Sequence, residues 1–199
     1  MTMRIVMIAA CPAYPKPSGT TLRLRQESHP FRGRTEITEA AGNTTTLAHY
    51  LHLLDTAGLL TGIEKYTGEQ LRRRASSPKF QVHNTALLTA QQGVGLKEAR
   101  LTPNAWGRWV EGAIGAHLVN HQLSEGYTVY YWRNRSDEID FVLEKKGKVI
   151  GLEVKSGATQ KAPGMEAFKK QHRPDKVLLV GSSGIPWQQF LRMNPSGLL

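Results

Sequence analysis

The sequence predicts an α/β protein built on an α-β-β-β-α-β core, and three patterns predict it. Trp106, Val110, Ala113, Ile114 and Leu118 recur at helical spacing, the apolar stripe of a long helix. Residues 138–144 alternate strictly, with Ile139, Phe141 and Leu143 on one face and Asp140, Val142 and Glu144 on the other. Lys176 to Val180 is a short apolar run closed by Gly181, which suits a covered strand.

The elements follow in order. Residues 1–42 read as an irregular basic arm, because Pro12, Pro15, Pro17 and Pro30 interrupt any helix and Arg23, Arg25, Arg32 and Arg34 carry no apolar period. From Asn43 the pattern changes. Leu47, Tyr50, Leu51 and Leu54 share a helix face that Asn43 or Thr44 caps and Gly58 closes. Leu59 to Tyr66 then reads as a strand, Arg72-Arg73-Arg74 as a basic turn, and Lys79 to Val82 as a returning strand. Helix plus basic-tipped ribbon looks like the second half of a winged helix-turn-helix, so residues 43–102 are expected to form a partial winged-helix unit. A short helix begins at 84–88.

The second unit, 103–199, opens on the helix from Pro103 to about Gln122. Tyr127 to Trp132 is rich in β-formers, Glu138 to Glu144 alternates, Lys146-Gly147 supplies a turn, and Val149 to Lys155 makes a third strand. Met165 to Gln171 is helical, 176–180 is the last strand, and Pro186 to Leu191 a terminal helix.

Composition bounds the function classes. The chain has 199 residues, 40% of them hydrophobic, enough for one domain or two small ones with a real core. One cysteine, Cys11, excludes a disulfide framework or a cysteine zinc site. No apolar run reaches the length of a membrane span. No G-x-x-x-x-G-K-[ST] is present, so no ATP site is expected in this chain. Ile8-Ala9-Ala10-Cys11 looks like a lipoprotein cleavage box, but the apolar stretch before it is short, and a cytoplasmic protein is the better reading. Lys plus Arg number 26 against 16 Asp plus Glu, a net +10 that favours an anionic partner such as nucleic acid. Thirteen basic and seven acidic residues precede Trp106, so more than half of that excess lies outside the second unit.

The chemistry concentrates in the second unit. Glu153 and Lys155 are two apart on one strand and share a face, and Asp140 belongs to the preceding strand. If the strands are neighbours, two carboxylates and an ammonium converge. That oxygen set suits Mg²⁺, which stabilises charge on a phosphate and acidifies bound water. Lys155 beside it can orient or help deprotonate the attacking water. Glu111 adds an acid from the helix, with Gly107 and Gly115 four residues either side, small enough for close helix–sheet approach.

These residues, in this order, resemble the PD-(D/E)xK nuclease superfamily. More narrowly, residues 138–143 (EIDFVL), 152–157 (LEVKSG), 180–185 (VGSSGI), 50–60 (YLHLLDTAGLL) and 72–80 (RRRASSPKF) look like the domain of unknown function 4143 family, over about 43–191. That domain usually forms the C-terminal part of bacterial and archaeal AAA-type ATPases. The resemblance implies a restriction-endonuclease-like core, with Asp140, Glu153 and the carbonyl of Val154 as metal ligands, Lys155 positioning water and Glu111 completing the acidic cluster. It implies phosphodiester hydrolysis, with an ATPase module or self-association as further partners. Two departures stand against it. No ATPase module accompanies the domain, and 16–39 lacks the helices expected before the Asn43 helix, as in a truncated, frame-shifted or remnant gene. A non-catalytic DNA- or protein-binding regulatory module of such an ATPase is therefore the competing expectation.

Blander readings accompany the rest. Arg72, Arg73 and Arg74 either contact phosphates from a wing tip or form a solvated face or partner interface. His49/His52 and His117/His121 lack a metal motif and are read as structural, Asp137 and Glu138 as solvated turn residues, and Trp106, Trp109 and Trp132 as packing residues.

Overall fold

The computed structural model describes residues 44–68, 77–93, 95–157 and 162–199. The arm expected at 1–42 and the triplet Arg72, Arg73 and Arg74 lie outside the described residues. Helix α1 (Thr44–Thr56) turns at Gly58, whose φ of +66° suits a residue without a Cβ, into β1 (Leu60–Lys65). Strand β2 (Lys79–Val82) returns antiparallel, with Leu60 opposite Val82 and Ile63 opposite Lys79. Helices α2 (Ala86–Gln92) and α3 (Leu96–Leu101) lead to the long α4 (Pro103–Glu125). Strands β3 (Thr128–Asn134), β4 (Asp137–Lys145) and β5 (Lys148–Lys155) form an antiparallel meander. Helix α5 (Pro163–His172) crosses to β6 (Lys176–Gly181), parallel to β5. Helix α6 (Trp187–Phe190) and a 3₁₀ turn (Pro195–Leu198) follow.

The fold is thus mixed α/β, with six strands in the order β2-β1-β3-β4-β5-β6. The ribbon β1–β2 extends this sheet: β1 runs parallel to β3, Glu64 beside Tyr130 and Lys65 beside Tyr131, and the Tyr66 N–H reaches the Tyr131 carbonyl at 2.7 Å. Helix α3 left no sequence signal, because it buries only Ala99 and leaves Leu96 and Leu101 exposed.

Helices cover both faces of the sheet. On one, Val110, Ile114, Leu118 and Val119 of α4 pack on Val129, Phe141, Leu143, Ile150, Leu152 and Val154, with Phe190 and Leu198 closing the cluster. On the other, Phe168 of α5 packs on Tyr130, Trp132, Ile139 and Val142, together with Tyr66. Burying each such side chain fully is worth roughly 1.5–3 kcal/mol, so the two clusters are the main source of cohesion.

The strict alternation expected for β4 fails at one place. Tyr130 faces Val142 and Trp132 faces Ile139, so Asp140 and Phe141 together oppose Tyr131, a β-bulge. Ile139 consequently shares the Phe168 face with Val142, whereas Phe141 and Leu143 face α4. Placing Ile139 with Phe141 and Leu143 is therefore corrected: an extra residue shifts the period by one.

The expected close approach of α4 occurs at its glycines. A Cβ on Gly115 would collide with the Gln81 side chain and lie 2.8 Å from Phe141 Cζ, and one on Gly107 would lie 3.3 Å from Ser156 Oγ. Gln81 cannot swing away cheaply, since its amide donates to the carbonyls of Val82 and Gly112, both at 2.9 Å, and it is 5% exposed. Gly115→Ala is expected to cost ~1–3 kcal/mol through overpacking. Urea denaturation with an unchanged m-value checks it; a loss below a few tenths would mean that α4 shifts freely.

Candidate functional site

The bulge sets the site. Ladder pairing between β4 and β5 runs from Lys145↔Lys148 to Phe141↔Leu152. Beyond it, the Asp140 side chain takes the place of a backbone partner: its Oδ2 accepts the Val154 N–H at 2.8 Å. Within a strand the N–H and C=O of one residue point to the same neighbour, so the Val154 carbonyl faces the Asp140 side as well. Asp140 is 7% exposed and Glu153 6%, the two buried acids among the described residues. Lys155 donates to Glu153 Oε1 at 2.5 Å, and Glu153 Oε2 is buried with no hydrogen-bond partner.

Glu111 enters from α4, and the reason is a match of repeats. Glu111 and Gly115 are one turn apart, about 6 Å along a helix, and Lys79 and Gln81 are about 6.8 Å apart on β2. Gly115 seats against Gln81, so Glu111 comes level with Lys79, whose ammonium donates to Glu111 Oε1 at 2.6 Å and to the Asp140 carbonyl at 3.3 Å. The same ammonium stands 4.7 Å from the Phe141 ring centroid. Lys79 is the residue that sequence reasoning missed. Its signal was the pair Lys79 and Gln81, polar at every second position of a strand whose partner face is apolar.

The electrostatics follow from burial. Burial pushes the Asp140 carboxyl up to about 8, helped by the neighbouring Glu111 and Glu153 and opposed by Lys79 and the Val154 N–H. Burial likewise raises Glu153, against the hydrogen bond and charge of Lys155. For Glu111 burial raises the carboxyl, but the Lys79 charge and hydrogen bond outweigh it and hold it below the usual range. Burial would lower both lysines, yet each is raised by its acid partner, Lys79 by Glu111 and Lys155 by Glu153. Lys155 is therefore an ammonium at neutral pH, a donor rather than a base.

Of the expected site residues, Glu111, Asp140, Glu153 and Lys155 lie close enough to shift one another's protonation, and Val154 is bonded to Asp140. Among the described residues, no three His, Cys, Asp or Glu side chains form a cluster that could hold a metal ion. The oxygens available to a cation are the Asp140 carboxylate, the unpartnered Glu153 Oε2 and the Val154 carbonyl. Hard oxygens of this kind suit Mg²⁺, which takes one or two carboxylates and keeps several waters. The buried, unpartnered Glu153 Oε2 beside these oxygens is the feature that lets the residues fit such an ion.

The histidines act elsewhere. His117 Nε2 lies 2.9 Å from the Met193 carbonyl, a contact that ties α4 to the C-terminal segment, and His121 Nδ1 lies 2.8 Å from the His117 carbonyl within the helix. His49 packs beside Tyr50. Trp132 is 1% exposed and meets Phe168 edge-on, and Trp106 meets Trp187. Trp106, Trp109, Val110 and Leu88 line a shallow pocket of about 170 Å³ between α4, α2 and Trp187. Glu138 stands 3.6 Å from Arg133 at the start of β4.

The family described as Domain of unknown function (DUF4143) matches residues 106–189, which include Glu111, Asp140, Glu153 and Lys155 but not Lys79. No curated protein and no solved structure matches the chain. No described helix is long and apolar enough to cross a membrane.

A pH dependence follows from Asp140. Its folded pKa is raised above the unfolded value near 4, so the folded state binds the extra proton between about pH 4 and 8. Its contribution is present in full below pH 4 and is lost as pH rises to about 8, at no more than about 1.4 kcal/mol per pH unit. Asp140→Asn keeps an acceptor for Val154 and removes the charge. Denaturation across this window, without divalent ions, is expected to show the variant gaining on the wild type as pH rises; parallel profiles would contradict it.

Proposed function

We propose that this chain, whose residues 106–189 match the DUF4143 family, is a Mg²⁺-dependent phosphodiesterase of the PD-(D/E)xK nuclease type, acting on DNA in the cytoplasm. One observation carries the reading: a buried acid pair, Asp140 and Glu153, shares the open end of the β4–β5 ladder with the ammonium of Lys155 and an oxygen that has no partner. Asp140 has a structural reason to be buried, as acceptor of the Val154 N–H, but Glu153 has none, and leaving its buried charged oxygen unsatisfied costs several kcal/mol.

In this reading Asp140, Glu153 and the Val154 carbonyl hold the ion. Bound there, Mg²⁺ supplies charge stabilisation to the scissile phosphate and acidifies a coordinated water. Lys155, held as an ammonium by Glu153, donates to a phosphate oxygen or to the attacking water and fixes its direction. Glu111 keeps the cluster acidic. The core α4–β3–β4–β5–α5–β6 is then restriction-endonuclease-like, and the helix and ribbon before it descend from a winged-helix unit. Arg72, Arg73 and Arg74 are the proposed phosphate contacts of that unit. The net charge of +10 supplies the long-range attraction for a polyanion.

The second reading, a non-catalytic DNA- or protein-binding module working with an AAA-type ATPase or a second copy, has its own support. Two of the three acids already have an ammonium partner, Glu111 with Lys79 and Glu153 with Lys155, which is how a site that has lost its ion would persist.

Supercoiled plasmid with Mg²⁺ separates them. Wild-type protein is expected to nick it, EDTA to stop the reaction, and Lys155→Ala to slow it by ~10²-fold or more. Nicking at equal rates by wild type and by the Asp140→Ala/Lys155→Ala double variant would mark a contaminant and end the catalytic reading.

A further inference from the structure

We propose that Lys79 is a tethered cation of the acidic cluster, delivered by β2 from outside the matched family segment, and that it restricts the cluster to a single divalent ion. The inference rests on the proposed ion at Asp140 and Glu153 and assigns a control to that site.

The observations are geometric. The Lys79 ammonium touches two oxygens, Glu111 Oε1 at 2.6 Å and the Asp140 carbonyl at 3.3 Å. Those are hard donors of the kind a second Mg²⁺ or Mn²⁺ takes, so the ammonium and a second ion compete for one place. The first ion has other donors, the Asp140 carboxylate, the Val154 carbonyl and Glu153 Oε2, which is buried and unpartnered. The charges agree. Glu111, Asp140 and Glu153 bring three negative charges when ionised, and Lys79 and Lys155 two positive ones, leaving one negative charge. One divalent ion turns the cluster to +1, and a second to +3, which a half-buried site does not hold. Without Lys79 the balance before loading is −2, and a second ion brings it only to +2, with two free oxygens waiting for it.

Lys79 reaches this place because Gln81 is fixed. The Gln81 amide bonds the Gly112 carbonyl of α4, and Gly115 admits its side chain, so β2 cannot slide along the helix. Lys79 is thus a positioning residue, and the strand that carries it makes the ribbon part of the site.

The test counts ions rather than turnover. Mn²⁺ binding to the full chain is followed by electron paramagnetic resonance of free Mn²⁺ and by calorimetry, for wild type, Lys79→Met, Lys79→Gln, Lys79→Arg and Lys79→Met/Glu111→Gln, with circular dichroism to check folding. Wild type and Lys79→Arg are expected to bind one ion. Lys79→Met and Lys79→Gln are expected to bind two, and the Glu111→Gln double variant to return to one; a single ion bound more tightly would overturn the inference. A purely structural Lys79 would change the melting temperature and leave the isotherm alone. If folded Lys79→Met and Lys79→Gln match a wild type that binds one ion, the inference falls and the proposed ion site stands. If none of the proteins binds Mn²⁺, both fall together.

Discussion

The structure turns on one hydrogen bond, from the Val154 N–H to the Asp140 carboxylate. At that point β4 has one residue more than β3 needs, and the ladder to β5 stops. A sheet that stops leaves backbone donors unpaired, and a buried orphan costs free energy. Asp140 supplies the missing acceptor from its side chain. It is thereby fixed at the mouth of the strands, bonded to the residue before Lys155. The acid is buried because it is a structural acceptor, and its burial makes it hard to ionise. One contact thus ends the sheet and holds a carboxyl where burial favours the protonated form and a nearby cation would favour the ionised one.

The remaining charges follow from that constraint. Lys155 pairs with Glu153 on its own strand, and Lys79 pairs with Glu111 across the helix–ribbon contact. Each lysine is partly exposed and each raises its own basicity by meeting an acid, so neither pair is a strong net stabiliser in the ion-free state. Their value is local neutrality. They let three acids approach without forcing the sheet apart, and they leave Asp140, the acid without a lysine of its own, as the group most in need of a counter-charge.

Much of this was legible in the sequence, and the parts that were not have physical reasons. The strand Lys79–Val82 was readable to its ends because polar and apolar residues alternate over a short run, and α4 because its stripe is long. The face of Ile139 was not, since a bulge adds a residue without changing composition, and Glu-Ile-Asp-Phe-Val-Leu reads the same with or without it. Lys79 was invisible as a site residue because its partner Glu111 lies 32 positions away and the link depends on two glycines and a glutamine meeting in space. Glu153 and Lys155 were legible because a strand puts alternate residues on one face whatever the fold around it.

The sheet also changes how the chain's charge is read. A net +10 over the whole chain coexists with a cluster of three acids and two lysines whose balance is negative once all three acids are ionised. These signs act over different ranges. Charge spread over the surface acts across a Debye length of about 8 Å at physiological salt and selects the class of partner. Charge held in a low-dielectric recess acts over a few ångströms and selects what binds there. A basic chain with an acidic recess combines the two signs of charge that the proposed phosphodiester chemistry would need, one for a polyanion and one for a divalent cation. The ribbon supplies one of the two lysines in that recess, although it lies outside the matched segment. Residues 106–189 alone would therefore hold three acids and one ammonium, a different electrostatic object from the site of the whole chain.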